Sequence, residues 1–456
     1  MANETEFYCG DIFPHAAVLE GFCVHKIPDF VDKPRSIIAV DTSGFLVFER
    51  GTSEVLWVKD TNGDGVPDTH TQIGAEGGNH GLAYRDGYIY ISSDTKVFRW
   101  KYTLGNDRVE GPQERVIENM NANGMGGAPG GHTTRTLVFD EPQGRLYVSV
   151  GSAGNVDVNS YRSRIRRFDV SDPSTFPIDF QTGEVFADGL RNEVGLGFDR
   201  HGVLWGVENG ADNLRRDDLG GDIHNDNPAE ELNRFPEDNA GKHYGYPECW
   251  TEYRLDDGIG LGPGTSWVWP SFLDRVTDEQ CRTDRVQSEL AMQAHSAPLG
   301  IVFYNHTDNR PEGCAGTFPA WMDGFAFIAF HGSWNRDIPT GYKVVYVPMT
   351  PNGRVNATEP IDLLYHAGND AQWGSGFRPV DVDFDDCGRL LVTSDGTRER
   401  GSAIVRLAYN DGQPMACCGN TNQVLDPSTG THAHSGVFLP WILTFLAFAA
   451  LLDFRC

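Results

Sequence analysis

Six times along the chain a turn ending in glycine leads into a short run of apolar residues, alternating or nearly continuous: SGFLVFER (43–50), DGYIYISS (86–93), QGRLYVSV (143–150), HGVLWGVE (201–208), DGFAFIAF (323–330) and CGRLLVTS (387–394). Each is preceded by a companion run: PRSIIAVD (34–41), NHGLAYRD (79–86), HTTRTLVFD (132–140), LRNEVGLGFD (190–199), HSAPLGIVFY (295–304) and FRPVDVDFD (377–385). Period-two alternation split by a glycine turn predicts a β-hairpin. The turn glycines 44, 87, 144, 202, 324 and 388 are spaced by 43, 57, 58, 122 and 64 residues. Repeats of this length built only from strands predict an all-β, six-bladed β-propeller. The long interval predicts a loop-rich insertion between blades four and five, at about residues 228–289.

The first strand of a propeller blade lines the central channel, so residues at equivalent strand entries form a ring around one mouth of the axis. Here the entries carry Arg35, Asn79 with His80, His132, Arg191 with Asn192, His295 with Ser296, and Arg378. Three guanidiniums brought together in a partly desolvated site repel one another unless an anion with several charges sits among them. The competing reading pairs each arginine with an aspartate of a neighbouring blade. His80 reads as an inter-blade histidine. His132 follows two glycines and precedes Thr133-Thr134, which leaves room for a substrate and makes it a candidate proton acceptor.

Charge and cysteines narrow the compartment and partners. The 456 residues carry Lys+Arg 37 against Asp+Glu 64, a net charge of −27 that repels nucleic acid. Nine cysteines without a CxxC pair read as structural, with Cys9–Cys23 and Cys249–Cys281 the expected pairs. The sequons at Asn3, Asn305 and Asn356 agree with an oxidising, extracellular or cell-surface location. The start shows no basic region followed by an apolar one, so a leader is expected to be missing from this numbering. Four regions are expected: an N-terminal segment 1–33, the propeller 34–410, a polar linker 411–436 and an apolar tail 437–456. The tail reads as a removable lipid-anchor signal or a membrane segment.

Two acidic loops and one basic loop carry ligand chemistry. Asp60, Asn62, Asp64, Val66 and Asp68 have the alternating oxygen spacing of a calcium loop, although no glutamate follows at the twelfth position. In GVENGADNLRRDDLGGD (206–222) the carbonyls of Gly210 and Ala211, beside Asp212, are candidates for a second calcium ion. In HGSWNRDIPTGYKVV (331–345), His331, Trp334, Asn335, Arg336 and Lys343 are candidates to cap the axial pocket.

Together GGHTTRTLVF, FADGLRNEVGLGFD, GVENGADN with NPAEELNRF, AHSAPLGIVFY, AFHGSWNR and RPVDVDFDDCGRLLVTSDG resemble the pyrroloquinoline quinone (PQQ)-dependent sugar dehydrogenases, from about Pro34 to Leu407. That set includes soluble glucose dehydrogenase, the sorbosone dehydrogenase-like proteins and the fungal pyranose dehydrogenases, the last nearest in motif. The resemblance implies PQQ and Ca²⁺ as cofactors in the axial mouth. It implies His132 as general base and Arg191, with Asn192, beside the reactive quinone carbonyl. It implies Gly210 and Ala211 as carbonyl ligands of calcium, with Ala where the bacterial glucose enzymes have Pro, and Arg35, His331 and Arg378 as contacts to the quinone carboxylates. Asn79 completes the expected cofactor set. Gly131 stands where the glucose enzymes carry an Asp before the base, which puts glucose itself in question as substrate.

The expectation is therefore a quinoprotein that oxidises a pyranose or related sugar and passes electrons to an external quinone, dye or haem protein. The rival is a non-catalytic cell-surface propeller that binds a protein ligand. A calcium-dependent lactone hydrolase on the same fold would need carboxylates at the basic entries.

Overall fold

The computed structural model describes residues 15–27, 30–62, 66–120, 131–159, 161–256, 258–312, 314–368, 371–397 and 400–410. Six antiparallel sheets follow one another along the chain, as the hairpin repeats predict. From the axis outward, the first strands of blades 1 to 6 are Pro34–Asp41, Leu82–Arg85, Leu137–Phe139, Glu193–Phe198, Pro298–Phe303 and Pro379–Phe384. Their hairpin partners are Gly44–Glu49, Tyr88–Ser92, Arg145–Val150, Leu204–Glu208, Ala326–Phe330 and Leu390–Thr397.

The hairpin turns share two devices. Gly87, Gly144, Gly202, Gly324 and Gly388 have φ between 66° and 83°, a left-handed backbone that side chains with a Cβ resist. In three turns the aspartate just after the inner strand holds the next residues: Asp140 accepts from the Gln143 and Arg145 amides, Asp199 from those of His201 and Val203, and Asp385 from that of Arg389. The apolar runs between them pack blade against blade, and Trp57, Trp205, Phe45 and Phe48 are fully buried. Close to the axis, a Cβ on Gly300 would stand 2.7 Å from the Asp381 Cα and the Val380 carbonyl of the next blade. Blades five and six therefore touch backbone to backbone there.

Two features differ from the sequence reading. Phe22–Lys26, assigned to a separate N-terminal segment, is the outer strand of blade 6 and pairs with Arg400–Tyr409, while Ala16–Val18 is added to blade 5. Pairing the chain's early and late strands in one sheet closes the ring and removes an exposed edge. The loop-rich stretch is an insertion inside blade four, not between blades four and five. Glu230–Phe235 is the blade's third strand and Leu290–Met292 its fourth, with residues 236–289 between them. The third strand, EELNRF, carries only Leu232 and Phe235 as apolar residues among loop sequence, which made it hard to see.

That insertion supports the mouth. Trp250, Trp267 and Trp269 pack with Ala211, Leu214 and Leu219, so the 209–222 loop rests on them. The α-helix Asp278–Thr283 begins with a Thr277/Gln280 capping box, and its Cys281 is bonded to Cys249 as expected. A further disulfide joins Cys314 to Cys387. Cys23 is also disulfide-bonded, and its expected partner Cys9 lies outside the described residues. So do the sequon at Asn3, the linker 411–436 and the apolar tail 437–456. Among the described residues no helix is long and apolar enough to cross a membrane.

Candidate active site

In an antiparallel hairpin the start of the first strand and the end of the second lie at the same edge of the sheet. The mouth is accordingly built from strand entries, which the alternation marks, and from strand exits, of which the sequence singled out those of blades four and five but not those of blades three and six. Ser152 and Asn155 follow the second strand of blade 3, Asn209 to Asp212 that of blade 4, and His331 that of blade 5, while Asp395 lies at the end of the second strand of blade 6.

The first group of residues surrounds Asp395. One oxygen accepts from Arg35 Nη1 at 2.8 Å and the other faces His331 Nε2, also at 2.8 Å. Burial opposes ionisation of this carboxyl, but the His331 hydrogen bond and the Arg35 charge hold it well below the usual carboxylate range. Burial pulls the His331 pKa down to about 4, so its ring is neutral at neutral pH and Nε2 carries the proton given to Asp395. Arg378 donates to the His331 and Gly332 carbonyls at 3.0 and 2.8 Å, lies 5.4 Å from the Tyr342 ring centroid and has no carboxylate partner among the described residues.

The second group surrounds His132 and Arg191. Nδ1 of His132 lies 3.0 Å from the Ser152 carbonyl, which can only accept, so Nδ1 bears the proton and Nε2 the lone pair. Burial, then the charge of Arg191, pulls the His132 pKa down to about 3. Arg191 is bound to the Asp212 carboxylate at 2.8 Å and to the Gly210 carbonyl at 2.6 Å. Asn192 donates to Asn209 Oδ1 at 3.3 Å. Gly131, with φ of 93°, would place a Cβ 2.4 Å from the Ala153 carbonyl oxygen. An aspartate cannot occupy that position on this backbone.

The remaining candidates divide. Asn79 donates to the Thr133 carbonyl at 3.0 Å, and its Oδ1 is buried without a partner. His80 is the inter-blade histidine expected, between Arg35 and Thr136. His295 Nε2 donates to the His224 carbonyl, 2.5 Å away. Lys343 is engaged within blade 5, paired with Asp362 at 2.7 Å. Arg336 binds Asp226 at 2.8 Å, and Trp334 is 73% exposed rather than packed under a loop. In the proposed calcium loop the Asp68 carboxylate accepts from Thr61, and Asp64 lies outside the described residues. Below the mouth an axial channel of about 740 Å³ runs past Ser36, His80 and Thr136 to Arg310 and Asp386 at the far face.

The pairing of each arginine with an aspartate of the adjacent blade thus holds for Arg35 alone; Arg191 pairs within its own blade, and Arg378 with no carboxylate among the described residues. Asp395 and Asp212 are ion-paired to Arg35 and Arg191, while the buried carboxyls of Glu208 and Glu230 accept from backbone amides of the Arg191 and Gly210 segments; Arg378 is left to bind an anion, and a planar one with several carboxylates suits its forked donors. Among the described residues no three His, Cys, Asp or Glu side chains are placed to hold a metal ion, so calcium here would be held mainly by oxygens of the backbone.

A protein-family model described as TrAA12-like matches residues 16–404. A protein of Hypocrea jecorina (strain QM6a), named a pyrroloquinoline quinone-dependent sugar dehydrogenase, is 33% identical over 419 residues, which cover 85% of this chain and 89% of that one. A pyrroloquinoline quinone-dependent pyranose dehydrogenase of Coprinopsis cinerea is 31% identical over 430 residues, 87% of this chain but 55% of that longer protein. The calcium structure of a Trichoderma reesei protein of carbohydrate-active enzyme family AA12 matches with a TM-score of 0.74 at 30% identity, covering 88% of this chain and 98% of that one. The holo form of the PQQ domain of the C. cinerea pyranose dehydrogenase matches with a TM-score of 0.73 at 28% identity, covering 87% and 98%.

Proposed function

The chain belongs to the TrAA12-like family, and from that premise we propose that it is a PQQ-dependent sugar dehydrogenase acting on a pyranose or related sugar. The observation that carries the proposal is Arg378, a guanidinium at the mouth held only by carbonyls and free of any carboxylate partner among the described residues. PQQ, when bound, supplies a two-electron acceptor for hydride, and calcium its Lewis-acid partner.

The chain's own residues do the rest. Arg378 and Arg35 hold carboxylates of the quinone, and His331, kept neutral and fixed by Asp395, orients beside them. Asn79 turns its unpaired Oδ1 to a donor of the ligand. The carbonyls of Gly210 and Ala211 are the calcium ligands. His132, with Nδ1 fixed by Ser152, takes the sugar hydroxyl proton on Nε2 as the carbon gives up hydride. Arg191 and Asn192 lie on the same side and favour negative charge developing on oxygen.

We propose further that the protein acts outside the cell or at its surface and delivers electrons to an external quinone, dye or haem protein. The exposed sequon residues Asn305 and Asn356 and the disulfides support that placement. The test is reconstitution of the cofactor-free protein with PQQ and Ca²⁺, followed by dye reduction with a panel of sugars. Sugar-dependent reduction is expected; absence of quinone binding at micromolar concentration overturns the enzyme and favours a ligand-binding propeller.

A further inference from the structure

Arg191 uses every N–H it has. Nε donates to the Asn155 carbonyl at 3.3 Å, Nη1 to the Asn209 and Gly210 carbonyls at 3.2 and 2.6 Å, and Nη2 to Asn155 Oδ1 and Asp212 Oδ2 at 3.1 and 2.8 Å. A guanidinium has five donors, and all five end on protein oxygens. In this arrangement it has none left for an oxygen of substrate or quinone. The five acceptors are carbonyl, amide and carboxylate oxygens, the donor chemistry of a calcium site, and the Gly210 carbonyl among them is one of the two assigned to that metal.

We infer that the Arg191 guanidinium and the calcium ion are alternative occupants of one oxygen cradle, so that metal entry displaces the arginine and frees its N–H groups for the reacting oxygen. The inference rests on the proposed function, which supplies the metal. Its physical basis is that two cations cannot share the Gly210 carbonyl at contact distance without strong repulsion in a buried site, where Arg191 is 5% exposed. The cradle is rigid: the Gly210 amide is tied to Glu230 at 2.7 Å, the Asp212 amide to Asn155 at 2.7 Å, and Ala211 packs among the insertion tryptophans. Arg191 is therefore the mobile partner. Without metal the arginine keeps the carbonyls satisfied and the pocket formed; with metal it becomes available beside His132. The chain would thus couple calcium loading to the readiness of a group that stabilises charge.

The test follows the guanidinium itself. Protein labelled with ¹⁵N-arginine is stripped with chelator and titrated with Ca²⁺, with and without PQQ, and the Arg191 signal is assigned from its loss in Arg191→Met. Restricted, slowly exchanging Nη–H signals are expected in the metal-free protein and their collapse at saturating calcium. Persistence of those signals with calcium bound overturns the exchange. In parallel, calorimetry should show calcium binding to Arg191→Met tighter than to the unmodified chain by on the order of ten-fold, a usual size for coupling between sites. Equal or weaker binding by the variant overturns the exchange and leaves the quinone reading intact. Absence of calcium binding to both proteins removes the metal and the exchange together, and quinone binding, followed by its absorbance, reports separately on the function.

Discussion

His132 and Ser152 meet at 3.0 Å, imidazole Nδ1 against a main-chain carbonyl, and this contact decides which nitrogen can act as a base. Because the carbonyl only accepts, the proton stays on Nδ1 and the lone pair on Nε2. Replacing His132 by Ala should leave quinone binding unchanged and lower turnover by on the order of 10²-fold or more. Binding followed by quinone absorbance and turnover followed by dye reduction separate the two; equal turnover removes His132 from the reaction.

The same histidine sets a pH expectation. Its pKa falls from an ordinary 6.5 to about 3, mainly through burial. The neutral base therefore persists through mildly acidic pH, and kcat/KM should show no acid limb near 6.5. Between about 3 and 6.5 the unfolded chain binds the proton more readily than the folded one, so this group's contribution to stability is complete above 6.5 and declines as pH falls through that window. A kcat/KM profile that halves at pH 6.5 contradicts the assignment.

Arg378 is held by two carbonyls and no carboxylate partner among the described residues, whereas Arg35 is neutralised by Asp395. Arg378→Ala should therefore weaken quinone binding by about 1.5–3 kcal/mol, the range for a hydrogen bond to a charged group. Equilibrium titration of the cofactor-free variant measures this. Unchanged affinity would place the quinone elsewhere.

Asp383 lies on the axial channel, half-buried near Asp381, and accepts from the Ala39 and Phe384 amides. Burial, then the neighbouring Asp381 and Asp385 charges against those hydrogen bonds, leaves its pKa at about 7 instead of 3.8. A carboxyl raised by folding supports the native state at low pH and loses that support as pH rises through its folded value. Asp383→Asn should thus gain in Tm relative to the unmodified protein by about 1–2 °C between pH 5 and pH 8, since ~1 kcal/mol shifts Tm by about 2–4 °C in chains of 150–250 residues and by less in a longer one. A Tm difference independent of pH argues that Asp383 is ionised throughout.

At Gly300 a Cβ would stand 2.7 Å from the Asp381 Cα, so Gly300→Ala must push blades five and six apart. A loss of about 1–3 kcal/mol is expected, the usual cost of overpacking. Denaturant unfolding of the variant, with an unchanged midpoint as the contrary result, tests how tightly the axis is packed.

What the sequence determined was everything with a short period. Alternation and glycine turns are local, so the six hairpins, their order and the residues at their entries, Arg35, Asn79, His132, Arg191 and Arg378, could be read from the chain. The Cys249–Cys281 bond, closing 32 residues, was readable for the same reason, whereas Cys314–Cys387, closing 73, was not. The tertiary structure decided which charges meet. Asp395 joins Arg35 across 360 residues and His331 across 64, and no local pattern records that contact. Ring closure by Phe22–Lys26, the hidden third strand of blade four and the five oxygens around Arg191 likewise depend on how separate blades and loops come together. Strand alternation fixes the face and end of a blade at which a side chain lies, but its partner is fixed only when the ring closes.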